Sequence, residues 1–293
     1  MHKKKYFILV NPAAGNGAFL NRIEKVKDEF ARQGAPYDIH FTNKDLKADV
    51  LVNKNFDKNI YSDLLIVGGD GTINEAINGL DAPNIPISVI SIGTGNDTIK
   101  HIQVQTDFES QLNAVFNGQI IEIDAGICNG RMFLNGVGIG FDGKVAERMA
   151  QKGRKFQGHL AYMSEVLRIL LSYKENVLKA RFDDRDFAEE VLLMTITKGT
   201  TFGGGFKINP FAEKDDGLLD ICVIKKIPKW MRIAYVLRMK DGKHRNLSQV
   251  SFFKSKEVII DPDTYVVGHM DGEYIGHPPF NIKVLPKALK IKI

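Results

Sequence analysis

The sequence feature that most constrains the fold lies at residues 64–75, where an apolar run, a cluster of glycines and a helix-start signal follow without a gap. The apolar residues 64–67 have the pattern of a strand covered on both faces, as in a parallel sheet. Thr72 and Glu75 have the spacing of a capping box, which predicts a helix that begins immediately after the glycines. The segment therefore predicts a strand, turn and helix of an α/β domain.

Three glycines, Gly68, Gly69 and Gly71, surround Asp70 in this segment. Glycine adopts positive φ and has no side chain, so a phosphate chain could come within hydrogen-bonding distance of this backbone. The free N–H groups of the following helix would point toward the same anion. A carboxylate repels a phosphate unless a divalent cation lies between them, so Asp70 predicts a nucleotide bound with Mg²⁺.

Composition narrows the class of protein. The chain has 293 residues, 44% of them hydrophobic, and a formal net charge of +5 with a pI near 9.0. This length predicts a sizeable core and two domains, and the charge favours anionic partners. No nucleic-acid module is recognisable, and no run approaches the roughly 20 apolar residues that span a bilayer. Cys128 and Cys222 lack metal or disulfide spacing, which fits a reducing cytoplasm.

The periodicity of the chain changes after residue 120 or so. Residues 1–125 alternate strand and helix signals, which predicts a doubly wound α/β domain with a parallel sheet. Residues 126–279 contain many strand signals without regular intervening helices, apart from one clear helix at 158–173. This second domain should be rich in β-structure and largely antiparallel.

Three turns with glycine each follow a predicted strand, after Val10, after Val67 and after Ile92. In an open α/β sheet such turns lie at the carboxyl edge, where ligands bind, and two of them carry an aspartate. Together they predict a nucleotide site. The Walker pattern is absent, so backbone N–H groups, helix ends and metal would hold the phosphates.

Residues 138–143 match the pattern G-x-G-x-x-G, which is typical of NAD(P) binding. The match lies outside the βαβ region and lacks a strand that ends in an acidic residue about 20 positions further on, so the dinucleotide interpretation is disfavoured. Glycines that let a strand pack closely are the better interpretation.

Six motifs of the chain together resemble the diacylglycerol kinase catalytic domain, in its bacterial branch of soluble lipid kinases. They are Asn11-Pro12-x-x-Gly15, the segment 68–75, Gly93-Thr94-x-Asn96-Asp97, Asn135-x-x-Gly138-x-Gly140-Phe141-Asp142, the segment 216–220, and Asp271-Gly272-Glu273. The motifs keep the family's order and cover nearly the whole chain. The Gly-Gly-Asp-Gly-Thr motif at 68–72 is shared with NAD kinases and phosphofructokinases. The turn at Asp97 and the late Asp-Gly-Glu select the lipid kinases.

The resemblance implies two domains. The first is an ATP-binding α/β domain like those of NAD kinases and phosphofructokinases, with the returning segment 280–293 added to residues 1–125. The second is a β-rich antiparallel sandwich that takes the lipid, so catalysis is expected in the cleft between them. The residues that would line the nucleotide site are Asn11, Pro12, Ala13, Ala14, Gly15, Thr42, Gly68, Gly69, Asp70, Gly71, Thr72, Ile73, Asn74 and Thr94.

The resemblance also implies catalytic roles. Asp70 and Asp97 would organise the catalytic Mg²⁺ and its waters, which agrees with the charge argument for Asp70. Glu273 would be the general base that takes the proton from the lipid hydroxyl as it attacks the γ-phosphate. Two positions depart from the family's pattern: Ala14 stands where many relatives have serine, and Ser91 where proline is common.

A second, structural Mg²⁺ is implied beside the Asp-Gly-Leu-Leu turn. Its ligands would be the Asp216 side chain and the backbone carbonyls of Glu213 and Leu218. Glu213 is placed by spacing alone.

Residues 225–240 predict an amphipathic helix that carries Trp230, Ile233, Ala234 and Leu237 on one face, with basic residues around it. Such a helix could dock on anionic headgroups, which would place the protein in the cytoplasm and peripherally on the inner face of the membrane. The alternative is an ordinary amphipathic helix packed on the second domain.

The sequence thus predicts an ATP-dependent lipid kinase, with phosphorylation of diacylglycerol to phosphatidic acid as the favoured reaction. Its partners would be ATP and a lipid at the membrane surface, without nucleic acid, and a homodimer is left open. The alternatives are an NAD kinase, a kinase for phosphatidylglycerol or a sphingoid base, and a non-catalytic nucleotide or lipid sensor.

Overall fold

The computed structural model describes residues 5–17, 19–81, 84–93, 95–103, 105–152, 159–183, 185–261 and 263–293. The described residues divide into two compact units. The first comprises the residues up to Ala125 together with Pro286–Ile293, and the second comprises Gly126–Leu285. The segment that returns to the first unit therefore begins at Pro286, a few residues later than the expected start at Phe280.

The first unit alternates strands and helices. In chain order they are β1 (Lys5–Val10), a 3₁₀ turn (Ala14–Gly17), α1 (Phe19–Arg32), β2 (Tyr37–Phe41), α2 (Ala48–Asn55), β3 (Tyr61–Gly68), α3 (Asp70–Asn78), β4 (Pro86–Ser91), α4 (Asp97–Ile102), α5 (Phe108–Asn117) and β5 (Ile120–Cys128), of which the residues up to Ala125 belong here. This alternation is the pattern predicted for an α/β domain.

The sheet of the first unit is parallel in the order β2, β1, β3, β4, and the end of the last strand, β15 (Phe280–Lys292), pairs with β4. Ile8 of β1 lies opposite Ile39 of β2 on one side and Leu65 of β3 on the other. The apolar residues Leu64, Leu65, Ile66 and Val67 are fully buried. The predicted strand covered on both faces is therefore confirmed, and its carboxyl end opens into the glycine turn.

The second unit is mostly antiparallel β-structure. Its remaining elements are β6 (Arg131–Phe133), β7 (Gly136–Gly140), α6 (Phe141–Lys152), α7 (His159–Ser172), β8 (Asn176–Phe182), β9 (Arg185–Thr197), β10 (Leu219–Lys225), α8 (Lys229–Lys240), a 3₁₀ turn (Lys243–Asn246), β11 (Val250–Ser255), β12 (Glu257–Ile260), β13 (Gly268–Met270) and β14 (Glu273–Gly276). The strands β14, β13, β7, β9, β8 and β12 pair in that order, and β10 and β11 extend from β9. The predicted fold class, an α/β domain and a β-rich domain, is confirmed.

The helix α6 was not predicted. Gly143 lies in its first turn, and glycine is unfavourable inside a helix, so the local sequence argued against one. The structure explains the glycine, because a methyl group on Gly143 would lie 2.1 Å from the carbonyl oxygen of Val267. Among the described helices, none is both long and apolar enough to cross a membrane.

Candidate functional site

The glycine turn after β3 starts α3 with Gly69 as the N-cap, in extended backbone and without a side-chain cap. The predicted capping box is wrong, because both of its side chains have partners elsewhere in the first unit. The Thr72 hydroxyl accepts a hydrogen bond from Nδ2 of Asn11 at 2.8 Å. The Glu75 carboxylate accepts the N–H of Ala48, the first residue of α2, at 3.2 Å. These side chains connect α3 to the turn after β1 and to α2. No side chain caps the N-terminus of α3.

Gly68 and Gly69 serve close packing, and none of the three glycines of this turn has the predicted positive φ. A methyl group on Gly68 would lie 2.6 Å from Cβ of Thr72, and one on Gly93 would lie 2.8 Å from Cα of Gly69. The turns after β3 and β4 therefore touch through their backbones. Gly71 differs, because a methyl group there would meet no atom within 4 Å. The open space at the N-terminus of α3 is thus at Gly71.

The turn after β1 is held against the same edge of the sheet. The Oδ1 atom of Asn11 accepts the N–H of Ala13 at 3.0 Å, while its Nδ2 atom donates to Thr72. Gly15 has a φ of 68°, and a methyl group on it would lie 2.4 Å from the carbonyl oxygen of Ile92. The three turns that the sequence singled out are therefore connected directly at the carboxyl ends of β1, β3 and β4.

The other residues predicted for the nucleotide site lie around these turns. Thr42 is buried directly after β2, and its N–H donates to the carbonyl of Val10 at 2.9 Å. Ile73 and Asn74 are buried in α3. Thr94 lies outside the described residues. The turn after β1 contains four more of the predicted residues, which are partly or fully exposed: Pro12, Ala13, Ala14 and Gly15.

The Asp70 carboxylate lies beside the start of α4. Its Oδ2 atom accepts the N–H of Asp97 at 3.2 Å, and its Oδ1 atom accepts the N–H of Thr98 at 3.1 Å. Asp97 itself is buried at 5% exposure. Two carboxylate oxygens offer about four acceptor positions, so Asp70 keeps capacity for metal-bound water. Among the described residues, no lysine or arginine side chain pairs with Asp70, and the donor set fits a hydrated Mg²⁺.

Ser91, the departure from the family's proline, has a structural role that the sequence did not reveal. Its N–H donates to Oε1 of Gln111 at 2.9 Å, and Nε2 of Gln111 donates to its hydroxyl at 2.9 Å. Both side chains are buried. A proline has no N–H to donate, so this hydrogen bond requires a residue other than proline. Ser91 gives up the rigidity of a proline and instead connects β4 to α5 through Gln111.

The turn of Asp271 and Gly272 joins β13 to β14 directly before Glu273. Both residues have positive φ, 47° and 87°, which is the requirement of a tight two-residue hairpin. The Asp271 carboxylate accepts three N–H groups, from Leu134 at 3.2 Å, Asn135 at 3.1 Å and Gly136 at 2.8 Å. The turn is thereby anchored to the start of β7.

Glu273 begins β14, and its side chain is 43% exposed. Its Oε2 atom lies 2.7 Å from Nη2 of Arg131 in β6. Sequence reasoning missed Arg131, since a single arginine in a short strand gives no signal. The candidate base is thus paired with a cation and supported by an anchored turn.

The glycine-rich segment at 138–143 makes room for a partly buried pair of side chains. Nε2 of His269 lies 3.1 Å from Oδ2 of Asp142, and the N–H of Gly272 donates to Nδ1 of His269 at 3.3 Å. Because Nδ1 is an acceptor, Nε2 carries the proton that is donated to Asp142. A methyl group on Gly138 would lie 1.9 Å from that carboxylate. Close packing, rather than a dinucleotide, accounts for this glycine.

The residues predicted for the structural Mg²⁺ lie together, but lysines contact two of the predicted ligand groups, the Asp216 carboxylate and the Leu218 carbonyl. Nζ of Lys198 lies 2.9 Å from Oδ1 of Asp216 and 2.6 Å from the carbonyl oxygen of Leu218. Nζ of Lys254 donates to the other Asp216 oxygen and, at 2.7 Å, to Oε1 of Glu213. The residues present therefore do not fit a divalent cation.

The charges of this lysine cluster are mutually dependent. Burial alone would raise the pKa of Asp216, but hydrogen bonds from Lys254 and Lys198 outweigh it and lower that pKa. Burial likewise opposes the charge of Lys254, and its hydrogen bonds to Asp216 and Glu213 raise its pKa. For Asp220 burial dominates and raises the pKa to about 6.

The helix α8 has a buried face and an exposed face. Arg232 is 1% exposed; its guanidinium donates to the carbonyl oxygens of Leu170 and Tyr173 at 2.6 Å and 2.9 Å and pairs with Glu175. It is therefore a core residue and not part of the predicted basic rim. The exposed face carries large apolar side chains, namely Trp230 at 82%, Leu237 at 65% and Ile233 at 43% exposure.

Comparison with known proteins finds one family model for each part of the chain. A family model described as the diacylglycerol kinase catalytic domain matches residues 5–128. A second, described as the YegS C-terminal NAD kinase beta sandwich-like domain, matches residues 135–293. A diacylglycerol kinase of Staphylococcus saprophyticus is 27% identical over 292 residues, covering 99% of this chain and 95% of the relative. A diacylglycerol kinase of Bacillus subtilis is 29% identical, covering 94% of this chain and 92% of the relative.

Solved structures agree on the fold. The crystal structure of a Bacillus anthracis protein superposes with a TM-score of 0.79 at 24% identity, covering 100% of this chain and 96% of the other. A diacylglycerol kinase of the same organism superposes with a TM-score of 0.75 at 22% identity, covering 100% and 97%. These likenesses show the fold. The two family models and the named relatives show that the chain belongs to the diacylglycerol kinase family and is a lipid kinase.

Proposed function

We propose that this kinase transfers the γ-phosphate of ATP to the free hydroxyl of diacylglycerol, forming phosphatidic acid and ADP. The lipid hydroxyl oxygen forms the new bond to phosphorus, the bond from phosphorus to the bridging oxygen breaks, and the hydroxyl proton passes to a base. The observation that carries the proposal is the connection of the three turns in the first unit, where Asp70 binds the backbone of Asp97 beside the open space at Gly71. The matching relatives are named for this lipid.

The nucleotide is proposed to bind at these turns. The N-terminus of α3 presents backbone N–H groups, and the space at Gly71 lets a phosphate oxygen approach them. Asp70 and Asp97 would hold a hydrated Mg²⁺, which when bound supplies positive charge against the phosphate oxygens. The protein's own share is positioning, since Asp70 is fixed by two backbone hydrogen bonds.

Glu273 is proposed as the general base. The anchored turn at Asp271 and the hydrogen bond from Gly272 to His269 restrict the backbone that carries it. Its pairing with Arg131 orients a carboxylate that remains 43% exposed, so that a lipid hydroxyl has access to it. Arg131 is therefore a proposed positioning residue.

The direct test is labelled phosphate transfer from ATP to a panel of diacylglycerol, phosphatidylglycerol, a sphingoid base and NAD. Diacylglycerol should give the highest kcat/KM. Preferred transfer to NAD would instead identify an NAD kinase, and preferred transfer to another lipid would change the substrate. A protein that binds ATP without transferring phosphate to any of them would be a sensor.

Glu273→Gln tests the base. General base catalysis contributes about 100-fold or more, so kcat should fall by at least that factor while the Kd for ATP stays unchanged. The matched control is Glu257→Gln, because Glu257 has a similar exposure of 34% and pairs with Lys283 at 3.0 Å. A Glu273→Gln protein with near-normal kcat would refute the assignment.

A lipid substrate also requires contact with a bilayer, and we propose that α7 and α8 provide it. The exposed face of α8 carries Trp230, Ile233 and Leu237, with Lys229 and Arg238 exposed beside them. The neighbouring α7 exposes a second apolar row, namely Met163, Leu167 and Leu171. Apolar rows with a basic rim are typical of a helix surface that docks on anionic lipid.

Trp230 is the single tryptophan of the chain, so its fluorescence reports on this docking. Vesicles of phosphatidylcholine with phosphatidylglycerol should shift the emission to shorter wavelength, and vesicles of phosphatidylcholine alone should do so less. Ile233→Ser with Leu237→Ser should weaken the shift at unchanged thermal stability. Tyr265→Ser is the control, since Tyr265 is 78% exposed in the same unit. Equal shifts in all three proteins would exclude docking through α8.

A further inference from the structure

The geometry points to a resident ammonium ion in the second unit: Lys198 occupies the position of a divalent cation in the loop from Glu213 to Asp220. The loop is therefore held by this chain's own lysine, and its stability does not depend on Mg²⁺. This inference is independent of which lipid the kinase phosphorylates.

The contacts of Lys198 carry the inference. Lys198 directly follows β9 and is 1% exposed. Its Nζ atom lies 2.9 Å from Oδ1 of Asp216 and 2.6 Å from the carbonyl oxygen of Leu218. The N–H of Leu218 also donates to that Asp216 oxygen at 3.1 Å. One ammonium thus holds both the side-chain and the carbonyl oxygen that a cation would need, closing the turn around it.

The register of the strands brings a second lysine to the same place. Asp220 of β10 lies opposite Lys254 of β11, and Lys254 donates to Glu213 and Asp216. Three carboxylates, those of Glu213, Asp216 and Asp220, thereby face two ammonium groups. The charges nearly balance without a metal.

A Mg²⁺ ion and Lys198 exclude each other. Mg²⁺ requires oxygen ligands at about 2.0–2.1 Å in near-octahedral geometry. The Asp216 and Leu218 oxygens lie instead at hydrogen-bond distances from Nζ, so an ion bound to both would take the space of the ammonium. Repulsion between the two cations at this distance is strong in a buried site. The lysine therefore replaces the ion rather than supporting it.

The experiment is thermal unfolding of the nucleotide-free protein in EDTA and in excess MgCl₂. All proteins carry Asp70→Asn, which removes the carboxylate proposed to hold Mg²⁺ in the first unit. The parent should have the same Tm in both conditions. Lys198→Met takes the buried one of its two ammonium partners from Asp216, so Tm in EDTA should fall by about 6 °C or more. Mg²⁺ should then raise the Tm of Lys198→Met, but not of Lys198→Met with Asp216→Asn.

Three results would overturn the inference. One is a parent whose Tm rises with Mg²⁺ and loses that rise on Asp216→Asn, because the wild-type loop would then bind the ion. The second is a Lys198→Met protein whose Tm in EDTA equals that of the parent. The third is a Lys198→Met protein whose Tm does not rise when Mg²⁺ is added. If Lys198→Met does not fold, Mn²⁺ titration of the parent still decides, since binding that Asp216→Asn abolishes contradicts a resident ammonium.

Discussion

Asp70 and Asp216 are two aspartates that precede a glycine and that the sequence assigns to metal sites, yet their surroundings differ. In the first unit, Asp70 accepts two backbone N–H groups from the start of α4. In the second unit, Asp216 receives the ammonium groups of Lys198 and Lys254. Backbone donors orient a carboxylate and leave its full charge, whereas ammonium groups neutralise it. An aspartate can attract a divalent cation in the first environment, whereas in the second environment its negative charge is already compensated by the two ammonium groups.

The largest expected difference between the two aspartates is in catalysis. Asp70→Asn should lower kcat by about 100-fold or more, because the carboxylate proposed to hold Mg²⁺ at the transferred phosphate is lost. Asp216→Asn should leave kcat unchanged at temperatures where the protein is folded. Steady-state kinetics of both purified variants measure this. Similar losses of kcat would remove the contrast between the two sites.

For stability we expect the opposite order, with the larger loss in Asp216→Asn. Asp216→Asn removes the charge that compensates two ammonium groups, one of them buried, so the free energy of unfolding should fall by about 3 kcal/mol. Asp70→Asn loses one acceptor for a backbone N–H, which costs about 1 kcal/mol. Urea unfolding gives both values, and a greater loss from Asp70→Asn would contradict this account.

Gly71→Ala tests whether the space beside Asp70 is kept for a ligand. A methyl group fits there without contact, so the folded protein should gain about 0.5 kcal/mol of stability from reduced chain entropy. The same methyl group should block the phosphates and weaken ATP binding about tenfold, the loss of one hydrogen bond to a charged group. Calorimetric titration measures the Kd.

Gly93→Ala is the matched control for that variant. Its methyl group would lie 2.8 Å from Cα of Gly69, so it should lower stability by about 1 to 3 kcal/mol through overpacking. Unchanged ATP binding in Gly71→Ala would show that the phosphates lie elsewhere.

The smallest effect concerns Asp220 in the lysine cluster, and it depends on pH. Burial raises the pKa of this carboxyl to about 6, above its ordinary value of 3.8. Its contribution to stability is therefore fully present below pH 3.8 and is lost as the pH rises through about 6. Asp220→Asn keeps an acceptor for the N–H of Glu213 and should raise Tm at pH 8 by more than at pH 5. A constant difference in Tm between these pH values would contradict the shifted pKa.

The fold followed from local patterns to a large extent. The apolar residues 64–67 read as a doubly covered strand because burial on both faces leaves no polar alternation, and they are fully buried. The helix α6 escaped prediction because Gly143 weakens the local helix signal. The glycine is needed because α6 approaches the backbone of Val267 closely at this position. Val267 is distant in the sequence, so no local pattern reveals this contact.

The candidate site followed from the sequence only in part. The glycine motifs and the resemblance named Asp70 and Asp97, which the structure brings together. Thr72 and Glu75 look like caps, but they bind Asn11 and Ala48, which are distant in the sequence. Gln111, Arg131 and Lys198 gave no signal, because their roles come from single partners that the fold supplies.

The sequence by itself determined where the strands end, which turns need glycine and which carboxylates are available, since these follow from backbone sterics and residue chemistry. Only the tertiary structure decided what each carboxylate faces. Long-range strand register places Lys254 beside Asp216, and a turn contact places Asp70 beside the backbone of α4. A carboxylate's capacity for a cation depends on the charges within a few ångströms, and pairing between distant segments sets those charges.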